Sequence, residues 1–343
     1  MNTYEVTIAI PIYNAEKYIR TTLDSALAQS FESIEFLMLD DCGTDSSIGI
    51  VHEYQQNHPR GNDIRIVRQP QNMGVGHARN RIIDEAQGKF LYFMDADDTI
   101  EPNTIDLMWQ AAQTHQAQVV LTSYERVETY HEQPLTEEYL FPFKAFLEEN
   151  SFAEYAFHRY GALLASVCNM LMNIDFVRTC GLRFIDTNFW EDMVFKYEMA
   201  TCVSRAVLLP DITYHYICRE NSLSNFQNRT EISKSEILRN IMTIDTLKQN
   251  YDRLIRKPYF ANWLNFVLKT DFYIICNILK KGNRIQPSFS NGEIQNILYS
   301  PLSVSQTWKY GNIQTLFYKF LTIIPSALMV LIIKMLGKLK GLI

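Results

Sequence analysis

Short apolar runs alternate with longer amphipathic segments through the first part of this 343-residue chain. The apolar runs have the length of buried strands and lie at residues 6–10, 34–39, 64–68, 90–94 and 118–123. The segments between them repeat apolar positions at helical spacing, near residues 15–29, 45–57, 77–87 and 102–115. This alternation predicts βαβ units and a mostly parallel sheet, that is, an α/β fold. Gly88 is expected to cap the third helix at its C-terminal end.

The pattern changes after residue 124. Residues 125–160 are polar and aromatic without a clear period, which predicts a loop insertion with one or two helices. Strand-like runs follow at 206–209 and 212–217, after a helix that the sequence Trp190-Glu191-Asp192 begins. From about residue 230 the pattern becomes helical, near 231–256, 259–281 and 313–342. We therefore expect a first domain over residues 1–225 and a helical region over 226–343.

Polar residues follow four of the predicted strands, at 11–14, 40–45, 72–74 and 95–98. Because the carboxyl ends of parallel strands share one edge of a sheet, these residues converge where α/β sheets bind ligands. Asp95, Asp97 and Asp98 crowd three carboxylates into four positions, and such groups repel one another unless a cation lies among them. Their oxygen ligands suit Mg²⁺ or Mn²⁺ with nucleotide phosphates completing the coordination. The alternative is an acidic turn, with Asp98 or Thr99 capping the next helix.

Composition excludes one class of partner. The net charge of −6 and the pI of about 5.7, without a long basic block, leave no surface for neutralising nucleic-acid phosphates. The six cysteines are scattered without zinc-ligand spacing, which is typical of reduced thiols in a cytosolic protein. The chain begins almost directly with a strand, so no signal peptide is predicted and the protein is expected to stay in the cytoplasm.

Five motifs occur in order between residues 6 and 98. They are Ile10-Pro11-Ile12-Tyr13-Asn14, residues 23–30 (LDSALAQS), residues 39–46 (LDDCGTDS), residues 72–80 (NMGVGHARN) and Asp95-Ala96-Asp97-Asp98. In this order they resemble the family-2 glycosyltransferases, inverting enzymes with the GT-A nucleotide-sugar fold. Residues 169–171, 181–184, 191–195 and 214–222 look like the acceptor half of bacterial polysaccharide-building members. The resemblance thus divides the first domain into a nucleotide-binding half (1–124) and an acceptor half (125–225).

The resemblance implies how a nucleotide would be held. Asp41 is placed like the aspartate that accepts a hydrogen bond from uracil, Tyr13 would pack on the base, and Pro11 would shape the pocket wall. An acceptor-only carboxylate selects a base that presents an N–H, so uridine fits better than cytidine. The alternative for the Asp40-Asp41 pair is a helix cap. Many relatives carry glycine where this chain has Cys42, which matters if that residue must be left-handed.

The same resemblance assigns the metal and phosphate ligands. Asp97 is the favoured metal ligand, Asp95 reaches the ribose or a metal-bound water, and Asp98 is a ligand or a helix cap. Arg79 would meet a phosphate oxygen bidentately, although a solvated helix arginine is the other interpretation.

The predicted reaction is displacement at the anomeric carbon with inversion, which needs a base for the acceptor hydroxyl. Asp192 is the favoured base, and Glu191 is a positioning group or the alternative base. The competing interpretation is a pair of first-turn acids that the helix dipole stabilises. Tyr214, His215 and Arg219 would line the same cleft.

We therefore predict a metal-dependent inverting glycosyltransferase that moves sugar from a UDP-sugar to a surface polysaccharide or lipid-linked glycan. Two alternatives stay open: a catalytically silent scaffold subunit at the membrane, and another metal-dependent nucleotide-sugar enzyme such as a nucleotidyltransferase. Residues 320–333 are uncharged and lysines follow them, so the tail over 316–343 is predicted to contact the inner face of the cell membrane. The alternatives for this tail are a core helix and an oligomer contact.

Overall fold

A computed structural model describes residues 4–130, 134–159, 166–187, 190–219 and 232–343. The chain divides into two compact units. The first comprises Met1–Phe152 with Ala162–Phe226, and the second comprises Ala153–Gly161 with Gln227–Ile343. The division after Phe226 lies one residue beyond the expected end of the first domain.

The first unit is built on one large sheet. Its strands are β1 (Tyr4–Ile12), β2 (Ile34–Asp40), β3 (Ile64–Arg68), β4 (Gly88–Phe93), β5 (Thr99–Ile100), β6 (Val119–Glu128), β7 (Leu135–Tyr139), β8 (Lys144–Phe146), β9 (Met170–Asn173) and β10 (Ala206–Cys218). The helices are α1 (Ile19–Leu27), α2 (Ser47–Asn57), α3 (Val75–Glu85), α4 (Thr104–His115), α5 (Ser151–Arg159), α6 (Ile174–Thr179) and α7 (Glu191–Cys202), with α5 passing into the second unit at Ala153.

The strand order is β3-β2-β1-β4-β9-β6-β10-β5, with β7 beside β6 and β8 beside β10. Strands β3, β2, β1 and β4 run parallel, as the βαβ pattern predicts, and β10 runs parallel to β6. The antiparallel β9 joins these two parallel groups. Every residue of β2 is buried, because helices cover both faces of a doubly wound sheet. The ends of β1, β2 and β4 consequently form one edge.

Two predictions about local structure are wrong in whole or in part. The helix predicted within residues 125–160 is present as α5, but the described part of this segment is not otherwise a loop, because it continues β6 and adds β7 and β8. Gly88 begins β4 and does not cap α3, which ends at Glu85. A Cβ on Gly88 would lie 2.4 Å from the backbone nitrogen of Thr7, so glycine is required there by the close approach of β1.

The second unit is helical. Its elements are β11 (Ile232–Ser233), α8 (Lys234–Gln249), α9 (Tyr251–Leu254), α10 (Phe260–Lys280), β12 (Ile285–Gln286), α11 (Asn291–Ile297), α12 (Val304–Tyr310), α13 (Ile313–Ile323) and α14 (Ser326–Leu339). Pro325 separates α13 from α14 because proline cannot donate the backbone hydrogen bond that a continuous helix needs. Among the described residues no helix combines the length and the apolar character needed to cross a membrane.

Candidate active site

Asp40 and Asp41 lie where β2 ends, and both are buried. The two carboxylate oxygens of Asp41 accept backbone N–H groups from Met73 and Gly74, each at 3.0 Å. Asp40 accepts the backbone N–H of Cys42 at 2.9 Å. Neither aspartate caps a helix, so the cap alternative is wrong. Asp41 instead holds the loop before α3 in place, and its contact with a base stays a prediction.

The sequence left open whether residue 42 must be left-handed, because many relatives carry glycine there. Cys42 does have a left-handed backbone. Its φ is +58°, a region in which residues with a side chain are strained. The thiol donates to the carbonyl oxygen of Gln69 at 3.0 Å, which fixes this conformation from the β3 side. A cysteine therefore makes this left-handed turn directly after Asp41.

Pro11 and Tyr13 lie at the end of β1, beside this turn. The Tyr13 side chain is 51% exposed, so its ring face is accessible to a ligand. The next residue, Asn14, has a φ of +51° and accepts the backbone N–H of Thr44 at 2.7 Å. This bond ties the end of β1 to the loop after β2. The predicted pocket residues therefore lie side by side, while their roles toward a base stay predictions.

The three aspartates after β4 have three different environments. Asp98 is fully buried, and its carboxylate accepts the hydroxyl of Tyr214 at 2.5 Å and the backbone N–H of Ile217 at 2.8 Å. The prediction that Asp98 caps a helix is wrong, since α4 begins at Thr104 after Asn103. Both carboxylate oxygens of Asp98 anchor β10, and its role as a metal ligand stays a prediction.

Asp97 is partly exposed and pairs with Arg219. The guanidinium donates to Oδ2 of Asp97 at 2.6 Å and to its backbone carbonyl at 2.8 Å, and it lies 3.8 Å over the ring of Tyr18. Burial and the nearby charge of Asp95 nevertheless raise the pKa of Asp97 to about 6, against the opposing effect of Arg219. Asp97 is therefore a half-buried carboxylate with one cationic partner, and its role as a metal ligand stays a prediction.

Arg79 lies on α3 and is buried. Its Nη1 donates to Oε1 of Glu191 at 2.7 Å, and its Nη2 donates to Oδ1 of Asp95 at 3.0 Å. The prediction of a solvated arginine is wrong. Both terminal nitrogens bond to carboxylates, so Arg79 joins the aspartate after β4 to the acidic pair on α7. The phosphate contact of Arg79 stays a prediction.

We expect Arg79→Ala to lower the free energy of unfolding by about 3–5 kcal/mol, because Glu191 and Asp95 would lose the cation between them. The deficit should shrink as the pH falls below about 7, the pKa of Glu191, since a protonated carboxyl needs no cationic partner. Urea unfolding at pH 7 and pH 4.5 measures both effects. Arg81→Ala is the matched control, since Arg81 is an exposed α3 arginine paired with Glu85 and should change stability by less than about 0.5 kcal/mol. Equal losses in both variants would contradict the buried bridge.

Glu191 and Asp192 form the first turn of α7. Burial raises the pKa of Glu191 to about 7 despite the pull of Arg79, and burial also raises the pKa of Asp192. Trp190, directly before them, has a left-handed backbone with φ of +63°, which is rare for a bulky residue. Such strain persists where the surroundings impose it, and it sets the direction from which α7 enters the site.

Two residues of this region were not identified as site residues from the sequence. Lys196 is buried one helical turn after Asp192, and burial lowers the pKa of its ammonium to about 8. The spacing of four residues on α7 is a signal that could have identified it. Tyr18, which stacks under Arg219, carries no such signal because the two lie far apart in sequence.

The remaining residues that were predicted to line the cleft lie on opposite faces of β10. Tyr214 bonds to Asp98, whereas His215 contacts Glu101 at 2.9 Å and Glu125 at 2.7 Å. Alternate residues of a strand point to opposite faces, so the two side chains cannot share one cleft. Ser222 lies outside the described residues.

Asp95 and Asp97 together supply the oxygen donors that a hard divalent cation prefers. No three His, Cys, Asp or Glu side chains within the described ranges are arranged to hold a metal by themselves. Mg²⁺ and its analogues commonly take one or two carboxylates from the protein and the remaining oxygens from phosphates and water.

This geometry agrees with the protein family that the sequence matches. Residues 7–172 match the model of Glycosyl transferase family 2. Among curated relatives that are similar to this chain, the glycosyltransferase GlyG of Streptococcus pneumoniae is 30% identical over 119 residues, covering 35% of this chain and 38% of GlyG. The succinoglycan biosynthesis protein ExoO of Rhizobium meliloti is 27% identical over 228 residues, covering 64% of this chain and 62% of ExoO. The matches span less than two thirds of either relative.

Solved structures support the predicted fold. The crystal structure of S. aureus TarS 1-349 in complex with UDP-GlcNAc is similar to this chain: the match covers 93% of this chain and 90% of TarS 1-349, with a TM-score of 0.56 and 16% identity. At this identity the likeness establishes the fold. The predicted GT-A-type α/β fold followed by a helical C-terminal region is confirmed.

Proposed function

We propose that this protein transfers a sugar from a UDP-sugar to a hydroxyl group of a growing surface polysaccharide or lipid-linked glycan, with inversion at the anomeric carbon. One observation carries the proposal: the guanidinium of Arg79 bonds at once to Asp95, on the side of the predicted metal, and to Glu191, beside the predicted base. Leaving-group stabilisation and proton removal are the two tasks of this reaction, and one buried side chain links the groups proposed for them.

The reaction forms a bond between the acceptor oxygen and the anomeric carbon and breaks the bond from that carbon to the diphosphate oxygen. The departing diphosphate keeps the electron pair, and the carboxylate of Asp192 takes the proton of the acceptor hydroxyl. Asp192 is suited to this task because it is only partly buried and its raised pKa makes it a stronger base. Glu191 is bound to Arg79 and orients the start of α7, which makes it the positioning group of the pair.

Asp97 would hold Mn²⁺ or Mg²⁺, with Asp95 as second ligand or as partner of the ribose or a metal-bound water. Such an ion supplies positive charge at the leaving diphosphate. The side chains already present contribute charge of the same sign. Arg219 neutralises Asp97 in the absence of a ligand, and its planar guanidinium carries five donors, which suits phosphate oxygens equally well.

Uridine is the proposed base for two reasons. Asp41 is an acceptor-only carboxylate at the end of β2, and Tyr13 presents an accessible ring two residues after Pro11. TarS, which shares the fold, has been crystallised with UDP and with UDP-GlcNAc. ExoO, which is 27% identical over 228 residues, is a succinoglycan biosynthesis protein. We carry both properties to this chain as part of the proposal.

Calorimetric titration of UDP, GDP and CDP into the purified protein tests the donor half. We expect UDP to bind more tightly than GDP or CDP with Mn²⁺ present, and to bind much more weakly in excess chelator. Equal affinity for the three nucleotides would contradict the role of Asp41 and Tyr13. No binding of any nucleotide, with or without metal, would favour a catalytically silent scaffold.

A further inference from the structure

The last three helices of the second unit expose large apolar side chains. Seven of these side chains are between 55% and 83% exposed: Val304, Trp308, Ile313, Ile323, Leu331, Met335 and Leu339. Helix α13 packs against both α12 and α14, so the three helices are neighbours. A folded domain in water keeps such side chains few and scattered, and several on adjoining helices mark a surface that another phase or molecule covers.

The exposed apolar side chains of α14 are not needed for folding, because other residues of this helix form its packed face. Its buried face packs against α10, α11 and α13 through Met329, Val330 and Ile333. Its exposed apolar residues lie at helical spacing on the other face; we call Leu328, Leu331, Met335 and Leu339 the apolar stripe. The helix is therefore both a core helix and a second apolar surface. The two sequence-based alternatives for the tail, core and membrane contact, describe its two faces.

The charge of this segment is opposite in sign to that of the rest of the chain. Residues 294–343 contain five lysines and no aspartate or glutamate, so with a total of −6 the first 293 residues carry −11. Lys334 and Lys338 are four residues apart on α14 and lie along one edge of the apolar stripe. A positively charged rim therefore accompanies the exposed apolar side chains.

We propose that α12, α13 and α14 form a membrane-docking face that lies in the interface of a bilayer rich in anionic lipid. Acyl chains accept the apolar stripe, anionic headgroups accept the lysines, and the indole of Trp308 has the amphipathic character preferred at headgroup depth. A second copy of the chain is a poorer occupant, because a two-fold contact would bring lysines toward lysines. This inference rests on the second unit and stands whether or not the proposed sugar transfer is correct.

The experiment is co-sedimentation of the full chain with vesicles of phosphatidylcholine containing 40% phosphatidylglycerol, and with phosphatidylcholine alone. We expect binding to the anionic vesicles that weakens as salt is raised, with a blue shift of tryptophan emission. The double substitution Leu331→Ser with Met335→Ser should weaken binding by roughly 100-fold or more. Lys334→Gln with Lys338→Gln should weaken it by roughly 30-fold.

Both pairs replace exposed side chains, so folding is expected to survive, and thermal unfolding checks it. Met242→Ser is the matched control, because Met242 is an exposed apolar residue of the same unit on α8 and should leave vesicle binding unchanged. Deleting residues 316–343 is a poorer test, since it also removes core side chains of α14. Absent vesicle binding would overturn the proposal, as would binding that neither double substitution weakens. Light scattering that shows a dimer lost in the stripe variant, without vesicle binding, would assign the surface to a second copy.

Discussion

Asp97→Asn is expected to reduce the Mn²⁺-dependent affinity for UDP by roughly 100-fold or more while the protein stays folded. The substitution removes a charged ligand, and loss of merely supporting residues around a metal already costs 10–100-fold in affinity. The fold should persist because an asparagine oxygen still accepts from Arg219, and the second bond from Arg219 goes to the backbone carbonyl of residue 97. Calorimetry with and without Mn²⁺ measures the effect directly.

Two controls define this result. Asp84→Asn removes an exposed carboxylate that pairs with Arg183 and should leave UDP binding unchanged. Asp98→Asn separates the role of Asp98 as an anchor of β10 from the proposed metal site. It should lower stability, because Asp98 anchors Tyr214 and Ile217, yet the folded fraction should still bind UDP with Mn²⁺. If Asp98→Asn abolishes metal-dependent binding and Asp97→Asn does not, the metal assignment has the wrong aspartate.

The central sheet could be predicted because its information is local. Each parallel strand is a short apolar run, and the pattern located β1, β2, β3 and β4 to within two residues at either end. The predictions failed where a strand is not uniformly apolar. In β7, three of five residues are charged or threonine, and all but Tyr139 are exposed, so neither alternation nor burial marks it in the sequence.

The sequence identified the residues of the candidate site more accurately than it identified their contacts. Arg79 and Glu191 are 112 positions apart, and Asp98 and Tyr214 are 116 apart. No periodicity connects residues at such distances, so a phosphate contact for Arg79 and a metal contact for Asp98 were reasonable from local motifs alone. The fold adds buried bonds that these motifs do not reveal, because a buried charge or carboxyl must find a partner wherever the fold brings one.

The acid–base behaviour of the site could not be predicted from residue types. Glu191 and Asp192 are adjacent and chemically alike, yet Glu191 is bound to Arg79 while Asp192 has a partly exposed carboxylate that accepts only its neighbouring backbone N–H among the bonds described. Burial raises the pKa of both. This difference in partners, which the fold creates, is what separates the proposed base from the proposed positioning group.

Asp192→Asn is expected to lower the rate of sugar transfer by roughly 10²–10⁴-fold and to leave UDP binding unchanged, because an amide cannot accept the hydroxyl proton. In the unmodified protein, transfer should fall on the acid side as Asp192 becomes protonated, and the raised pKa places this fall above the ordinary aspartate range. Transfer from UDP-sugars under single-turnover conditions, measured from pH 5 to pH 9, gives both results.

Glu191→Gln is the companion variant that distinguishes the two acids. A glutamine oxygen still accepts from Nη1 of Arg79, so the start of α7 should stay in place and transfer should fall much less than in Asp192→Asn. The acid side of the pH profile should persist in Glu191→Gln and disappear in the residual activity of Asp192→Asn. The reverse ranking would move the base to Glu191, whose pKa of about 7 also permits proton transfer near neutral pH. Full activity in both variants would exclude this acidic pair from the reaction and leave it as the first-turn acids of α7.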